Sequence, residues 1–288
     1  MASLSTKPEI SVVVPARNAA PSLPRLLDAL AAQTAEAARF EVIVVNDAST
    51  DATAEIVDSN GGARLLRAGE HTGVAGARNL GIREARGDLV AFLDADCVPS
   101  ANWVERGAAA AEELEADILA GHIDVALARP SPVALVDLAH YYDQERYASE
   151  GFAATGNLWV RRTVFDRAGL FDEALARDED KEFVQRAVAA GARLRYSPDV
   201  RVSHASRGLR EQARRCFAIG TDRGLAGLRS RARGGAYVGD ERVRERLTAA
   251  GFAPTRARMM SIRLARNACV RLPMLAGALW GSLRRAGP

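Results

Sequence analysis

Apolar positions in the first hundred residues switch repeatedly between a continuous β-branched pattern and a helical one. Ile10 to Val14 is a short β-branched run closed by Pro15, and Leu23 to Ala32 then repeats at helical spacing. "FEVIVVNDAST" predicts a second strand running into an Asp/Ser turn, followed by a helix in "DATAEIVDS" with Asp51 as its N-cap. "ARLLRA" reads as a third strand, "GVAGARNLGIREA" as a helix and "DLVAFLDAD" as a fourth strand. Strands and helices alternating at this spacing predict an α/β fold, a mainly parallel sheet covered by helices on both faces. Ligands of such sheets bind beyond the carboxyl ends of the strands, where Pro15 to Asn18, Asp47 to Asp51 and Asp94 to Asp96 all fall.

Beyond residue 100 the pattern predicts a helix, a strand near Ile118 to Val125, a longer helical stretch from Ser131 to Ser149, and short strands and helices through His204. From Gly208 the chain reads as helical, with breaks near Gly234-Gly235 and Pro254. No stretch reaches the roughly 20 apolar residues of a membrane span. The nearest, "ACVRLPMLAGALWGSLRR", is interrupted by Arg271 and Pro273, which favours a helix lying on a membrane or packing on the main domain.

Charge sharpens this division. Residues 201–288 hold 19 Arg, no Lys and five acids, a charge of +14, whereas the first 200 hold 20 basic and 31 acidic residues, a charge of −11. A basic tail of this kind suits phosphates, an anionic membrane surface or nucleic acid, and equally a solvated helical face. Cys97, Cys216 and Cys269 are odd in number and scattered, so neither a disulfide framework nor a zinc site is expected. The N-terminus lacks a basic region followed by an apolar run; no signal peptide and a cytoplasmic location are expected.

Candidate chemistry begins in "AFLDADCVP". Residues two apart on a strand share a face, which would set Asp94 and Asp96 together at the strand's tip. Two like charges there call for a cationic partner, and hard oxygen ligands suit Mg²⁺ or Mn²⁺. Asp47, also at a strand tip, can accept a hydrogen bond from the N–H of a base, while Ser49 and Asp51 fit a turn and a helix cap. "DEDKEF" sets Asp178, Glu179, Asp180 and Glu182 at a helix start, where acids complement the dipole and one can serve as a general base. His204 reads either as a metal ligand or as a satisfied histidine.

In chain order, "ISVVVPARN", "FEVIVVNDASTDAT", "GVAGARNLGIREARGDLVAFLDADCVP", "ATGNLWVRRTVFDRAGLFDE", "DEDKEFVQRAVAAGARL" and "VRVSH" together resemble a family 2 glycosyltransferase of the GT-A type, over roughly residues 9 to 205. The resemblance implies a glycosyltransferase domain over 1–207, with a nucleotide-binding half (about 9–100) and an acceptor and catalytic half (about 101–207), then a basic helical extension over 208–288. It implies single-sugar transfer with inversion from a nucleotide-sugar donor, UDP first among carriers, assisted by Mg²⁺ or Mn²⁺. Pro15, Arg17 and Asn18 would line the nucleotide pocket, Asp47 would read the base and Arg78 would lie near the nucleotide. Asp94 would approach the ribose or the metal, Asp96 would ligate the metal and His204 would complete its shell. Thr155, Gly156 and Asn157 would face the donor sugar, Asp180 would be the catalytic base and Glu179 its support. Two departures stand out. Asn46 precedes Asp47 where the family often has a second acid, and the Gln-x-x-Arg-Trp motif of processive members is represented only by Gln212, Arg215 and then Cys216, with Arg215 a candidate for covering the diphosphate.

The resemblance leaves the acceptor open among lipid-linked, glycan and small-molecule hydroxyls; the basic C-terminus favours peripheral contact with the inner membrane face, and nucleic acid is not the expected partner. A non-catalytic nucleotide-sugar or anion-binding module would leave "DEDKEF" and His204 without a role. "DADCV" also fits the D-x-D-x-V of haloacid-dehalogenase-like phosphatases, but that motif starts its domain, and the only downstream lysine here is Lys181. A dinucleotide oxidoreductase is disfavoured by "PARNAAPSL" where the G-x-G-x-x-G turn would stand.

Overall fold

The computed structural model describes residues 7–127, 131–206, 209, 210, 212–214, 216, 217, 240–268, 272 and 276. The chain divides into two compact units, one built from residues up to Asp124 with Asp143–His204, the other from Val125–Tyr142 with residues from Ala205 onward.

The first unit is organised on an eight-stranded sheet of order β3-β2-β1-β4-β7-β6-β8-β5. Its parallel half contains β1 (Ile10–Ala16), β2 (Phe40–Asn46), β3 (Arg64–Arg67) and β4 (Leu89–Phe92), with Val12 opposite both Val42 and Ala91. The other half runs antiparallel where β7 (Leu158–Arg161) joins β4 to β6 (Ile118–Ala126), and where β5 (Cys97–Pro99) pairs with β8 (Leu194–Ala205). Successive β1 residues Val12, Val13 and Val14 are all fully buried, because helices cover both faces of a parallel sheet and leave no polar side.

Helices α1 (Leu23–Ala31), α2 (Thr53–Asn60), α3 (Gly73–Glu84) and α4 (Trp103–Glu113) follow the first strands. In α1 the period of 3.6 sets Leu23, Leu26, Leu27 and Leu30 on one buried stripe. The expected cap at Asp51 takes another form: α2 starts at Thr53, and the Asp51 carboxylate accepts from Thr53 N and Ala20 N, both at 3.1 Å, tying the loop after β1 to the loop after β2. Under the second half lie α7 (Arg162–Ala168) and α8 (Glu179–Ala189), whose Phe165 and Phe183 stack with ring centroids 5.4 Å apart beside Phe92 and Phe171.

The single helix expected over Ser131 to Ser149 is two, α5 (Pro132–His140) and α6 (Gln144–Ser149). Tyr141 turns extended after the last residue of α5, Tyr142 then takes a left-handed φ of 59°, and the Asp143 carboxylate accepts from Arg146 N to start α6. This break is where the chain passes from one unit to the other. In the second unit α5 packs with α9 (Asp240–Ala249) and α10 (Arg256–Arg266) around Leu135, Leu138, Val243, Leu247, Met259 and Ile262. The break at Pro254 separates α9 from α10; Gly234-Gly235 lies outside the described residues. Among the described residues no helix is long and apolar enough to cross a membrane.

Gly107 of α4 lies against Trp159 of β7, and a Cβ there would stand 2.1 Å from the indole Cζ2. Gly107→Ala therefore forces the ring or the helix to move and is expected to cost about 1–3 kcal/mol. Chemical denaturation measures it; a variant as stable as the parent would mean that α4 rides loosely on the sheet.

Candidate active site

Helix α3 carries Arg78 into the interior, where the side chain is 4% exposed. Its Nη1 donates to Glu179 Oε1 at 2.5 Å and its Nη2 to Asp94 Oδ1 at 3.0 Å. Burial alone would lower the guanidinium's pKa, but Asp94, Glu179 and Asp180 outweigh it and hold the pKa above its ordinary value. Arg78 thus forms an internal bridge between Asp94 and Glu179. Asn79, its neighbour, donates to Phe171 O at 2.9 Å and Glu173 Oε1 at 2.8 Å and accepts from Phe171 N at 3.0 Å, clamping the segment before α8.

Glu179 and Asp180 open α8, and Asp178 before them takes a φ of 60°. Glu179 is buried against Arg78, whereas Asp180 is half-buried and its Oδ1 accepts from Lys181 N at 2.7 Å. Desolvation first, then the Glu179 charge, push Asp180 up to about 7, with Arg78 pulling the other way. Two adjacent acids thereby acquire different jobs: Glu179 anchors the bridge, and Asp180 titrates near neutrality.

Asp94 and Asp96 do not share a strand face. β4 ends at Phe92, and Cys97 N donates to Asp94 O at 3.0 Å across a turn. Each carboxylate has its own partner: Asp94 has Arg78, and Asp96 Oδ2 lies 3.1 Å from His204 Nε2. The cation expected beside the pair is, for Asp94, a guanidinium. His204 is buried on β8 opposite Cys97, while Asp96 is 46% exposed. Gly156 completes the neighbourhood, since a Cβ on it would stand 3.3 Å from Asp94 Oδ2.

A cleft of about 510 Å³ lies beyond the ends of β1 and β2, lined by Pro15, Arg17, Asp47, His71, Thr72 and the segment 173–177. Asp47 is 3% exposed; its Oδ2 accepts from His71 Nδ1 at 2.6 Å and its Oδ1 from Thr72 N at 2.7 Å and Thr72 Oγ1 at 3.2 Å. Asn18 does not line this cleft. Its backbone N–H donates to Ser49 Oγ at 2.9 Å and its Oδ1 accepts from Thr50 N at 2.8 Å, so it latches the two loops together. Asn18 and Ala48 both have positive φ, 50° and 51°, placing local strain beside the cleft.

Thr155, Gly156 and Asn157 form a buried turn before β7. The Asn157 side chain is engaged inside the protein: its Nδ2 donates to His122 O at 2.9 Å and Val200 O at 2.8 Å, and its Oδ1 accepts from the indoles of Trp103 at 3.0 Å and Trp159 at 3.3 Å. All four of its hydrogen-bonding positions are used. Arg215 lies outside the described residues. Sequence reasoning passed over His71, Glu173 and Arg177; the polar "HT" just before α3 was the available signal for the first.

Among the described residues no three His, Cys, Asp or Glu side chains form a ready metal cage. Asp96 and His204 form an ion pair at 3.1 Å, and their donor set, a carboxylate oxygen beside an imidazole nitrogen, fits a divalent cation that would take the place of that pairing. Two protein ligands suit an ion that takes its remaining oxygens from water and substrate phosphates.

Arg78→Met leaves Glu179 buried without its counter-charge and is expected to destabilise the fold by about 3–5 kcal/mol at neutral pH. Urea denaturation of parent and variant measures it; a loss below about 1 kcal/mol would show that the bridge is not structural.

Residues 11–169 match the family model described as Glycosyl transferase family 2. Glycosyltransferase AglE of Haloferax volcanii is 31% identical over 222 residues, spanning 75% of this chain and 73% of that protein. The pre-mycofactocin glycosyltransferase of Mycobacterium tuberculosis is 30% identical over 242 residues, 76% of this chain but only 47% of that protein. Among solved structures, the mannosyltransferase PcManGT from Pyrobaculum calidifontis, in complex with GDP-Man and Mn²⁺, superposes with a TM-score of 0.62 at 20% identity, covering 96% of this chain and 88% of its own. S. aureus TarS 1-349 in complex with UDP-GlcNAc gives 0.57 at 20% identity, covering 97% and 92%. The strand order, the acid-opened helix α8 and these matches agree: the chain is a glycosyltransferase and belongs to family 2, with a GT-A-type fold.

Proposed function

We propose that this glycosyltransferase moves a single sugar from a nucleoside diphosphate carrier to an acceptor hydroxyl with inversion, and that Asp180 is the base. The observation that carries the reading is the Arg78 bridge, which gathers Asp94, Glu179 and Asp180 into one cluster and leaves Asp180 with a pKa of about 7. A base poised at that value combines the ionised state with useful proton affinity at neutral pH. The Asp180 carboxylate takes the acceptor's proton as the hydroxyl oxygen attacks the anomeric carbon, and the diphosphate departs with the electron pair of the broken C–O bond.

The cleft supports a nucleotide. Each carboxylate oxygen can accept two hydrogen bonds; Asp47 Oδ1 already takes two from Thr72, while Oδ2 takes one from His71 and retains capacity for a base N–H. A uracil N3–H fits that acceptor, as a guanine N1–H would; UDP is the proposed carrier, and the nucleotide-sugar complexes of the two structural neighbours support the class. Pro15 and Arg17 line the cleft, and Gly156 leaves Asp94 uncrowded. Asp96 and His204 would hold Mg²⁺ or Mn²⁺, which when bound supplies positive charge to a departing diphosphate. We assign the enzyme to the cytoplasm at the inner membrane face, with the basic C-terminal extension outside the catalytic domain and a lipid-linked, glycan or small-molecule acceptor.

The pH dependence follows from the raised pKa of Asp180. Activity is expected to rise about tenfold per unit below pH 7 and to level off above it. The same shift acts on stability with the opposite trend. The folded state holds this proton more tightly than the unfolded chain, so the contribution is fully present below the ordinary value of 3.8 and is lost as pH rises through about 7. Asp180→Asn should retain donor binding and lose about 10²–10⁴-fold in turnover; undiminished turnover would remove Asp180 from the reaction.

Asp96→Ala is expected to abolish the Mn²⁺-dependent part of the melting-temperature rise that UDP or a UDP-sugar gives the parent. Thermal denaturation with and without EDTA reads this directly. A rise insensitive to EDTA in the parent would defeat the metal assignment, and a rise with GDP but not UDP would defeat the choice of uracil.

A further inference from the structure

Helix α10 has apolar residues on two opposite sides. Met259 and Ile262 are buried against α5, while Met260 and Leu264 are 65% and 61% exposed. At about 100° per residue, positions four apart lie about 40° from one another, so Met260 and Leu264 form one outward stripe. Arg256 and Arg263, both exposed, flank Met260 on the side away from Leu264. An amphipathic surface helix is expected to turn its apolar stripe inward only. Here the inward stripe is satisfied and a second one faces solvent beside guanidiniums.

The charge around this stripe selects its occupant. Residues 255–288 contain seven Arg and neither Asp nor Glu. A second copy of the chain docked on the same face would bring two such stretches together, whereas an anionic surface would neutralise them. We propose that the outward face of α10 docks on an anionic lipid bilayer, with Met260 and Leu264 entering the headgroup and acyl boundary and Arg256 and Arg263 meeting lipid phosphates. Such binding combines buried apolar area with attraction to anionic headgroups, so both parts are needed. It deepens the inner-membrane assignment made above and depends on nothing assumed about donor, metal or base.

The test is flotation of the full chain, without any sugar nucleotide, on phosphatidylcholine vesicles with and without about a quarter phosphatidylglycerol. The protein should float with the anionic vesicles and stay behind with the neutral ones. Met260→Ser with Leu264→Ser should reduce the bound fraction about tenfold, and Arg256→Gln with Arg263→Gln should reduce it and flatten its salt dependence. Both stripe positions are solvent-exposed, and far-ultraviolet circular dichroism checks that the helix persists. Absence of binding to anionic vesicles overturns the proposal. So does binding that the Met260 and Leu264 changes leave intact, or a stable dimer in sedimentation that those changes dissolve.

Discussion

One guanidinium ties helix α3 to the turn after β4 and to the start of α8. Arg78 joins Asp94 and Glu179, residues 16 and 101 positions away in the chain, across a site that would otherwise press like charges together. Buried ion pairs of this kind add little net stability over an apolar replacement, because desolvation consumes most of the Coulomb gain. Their effect here is positional. The bridge fixes the first residue of α8, and so the next one, Asp180, whose carboxylate is the base of the proposed chemistry. The bridge depends in turn on α3 seating closely on the sheet, where Gly81 lies so near Val13 that a Cβ would stand 2.4 Å from Cγ1.

The strands and helices of the first hundred residues were legible because burial on both faces of a parallel sheet writes itself as uninterrupted β-branched runs. β5 was not, since three residues at the end of "DAD" carry no pattern long enough to read. The division between α5 and α6 was hidden for a different reason: the chain turns left-handed at Tyr142, a residue type that does not advertise it, with neither Gly nor Pro at the break. Residue types at the site were legible and their partners were not. Asp94 and Asp96 sit on a turn that sends one to α3 and the other to β8, and alternation along a strand has no means of predicting that.

Asn157 makes the same point about motifs. In "ATGN" it is the residue whose amide would most readily contact a sugar, yet two tryptophan indoles and two carbonyls consume it, and Gln144 further fixes the turn through Ala154 and Asn157 carbonyls. A polar side chain in a recurring stretch can serve the shape of a site without touching what binds there. Asn18 does so at the other end, holding two loops at the cleft's edge.

Electrostatics gives the strongest physical argument for a cation at this site. Around the cleft and the bridge stand Asp47, Asp94, Asp96, Glu173, Glu179 and Asp180, against Arg17, Arg78 and Arg177. The charge of Arg78 is already shared between Asp94 and Glu179. A nucleoside diphosphate entering here brings further negative charge into a region where carboxylates already outnumber guanidiniums. Protonating Asp180 would relieve the repulsion but would remove the base. A divalent ion held by Asp96 and His204 would relieve it while leaving Asp180 free to ionise, which is why the metal and the base belong to one proposal.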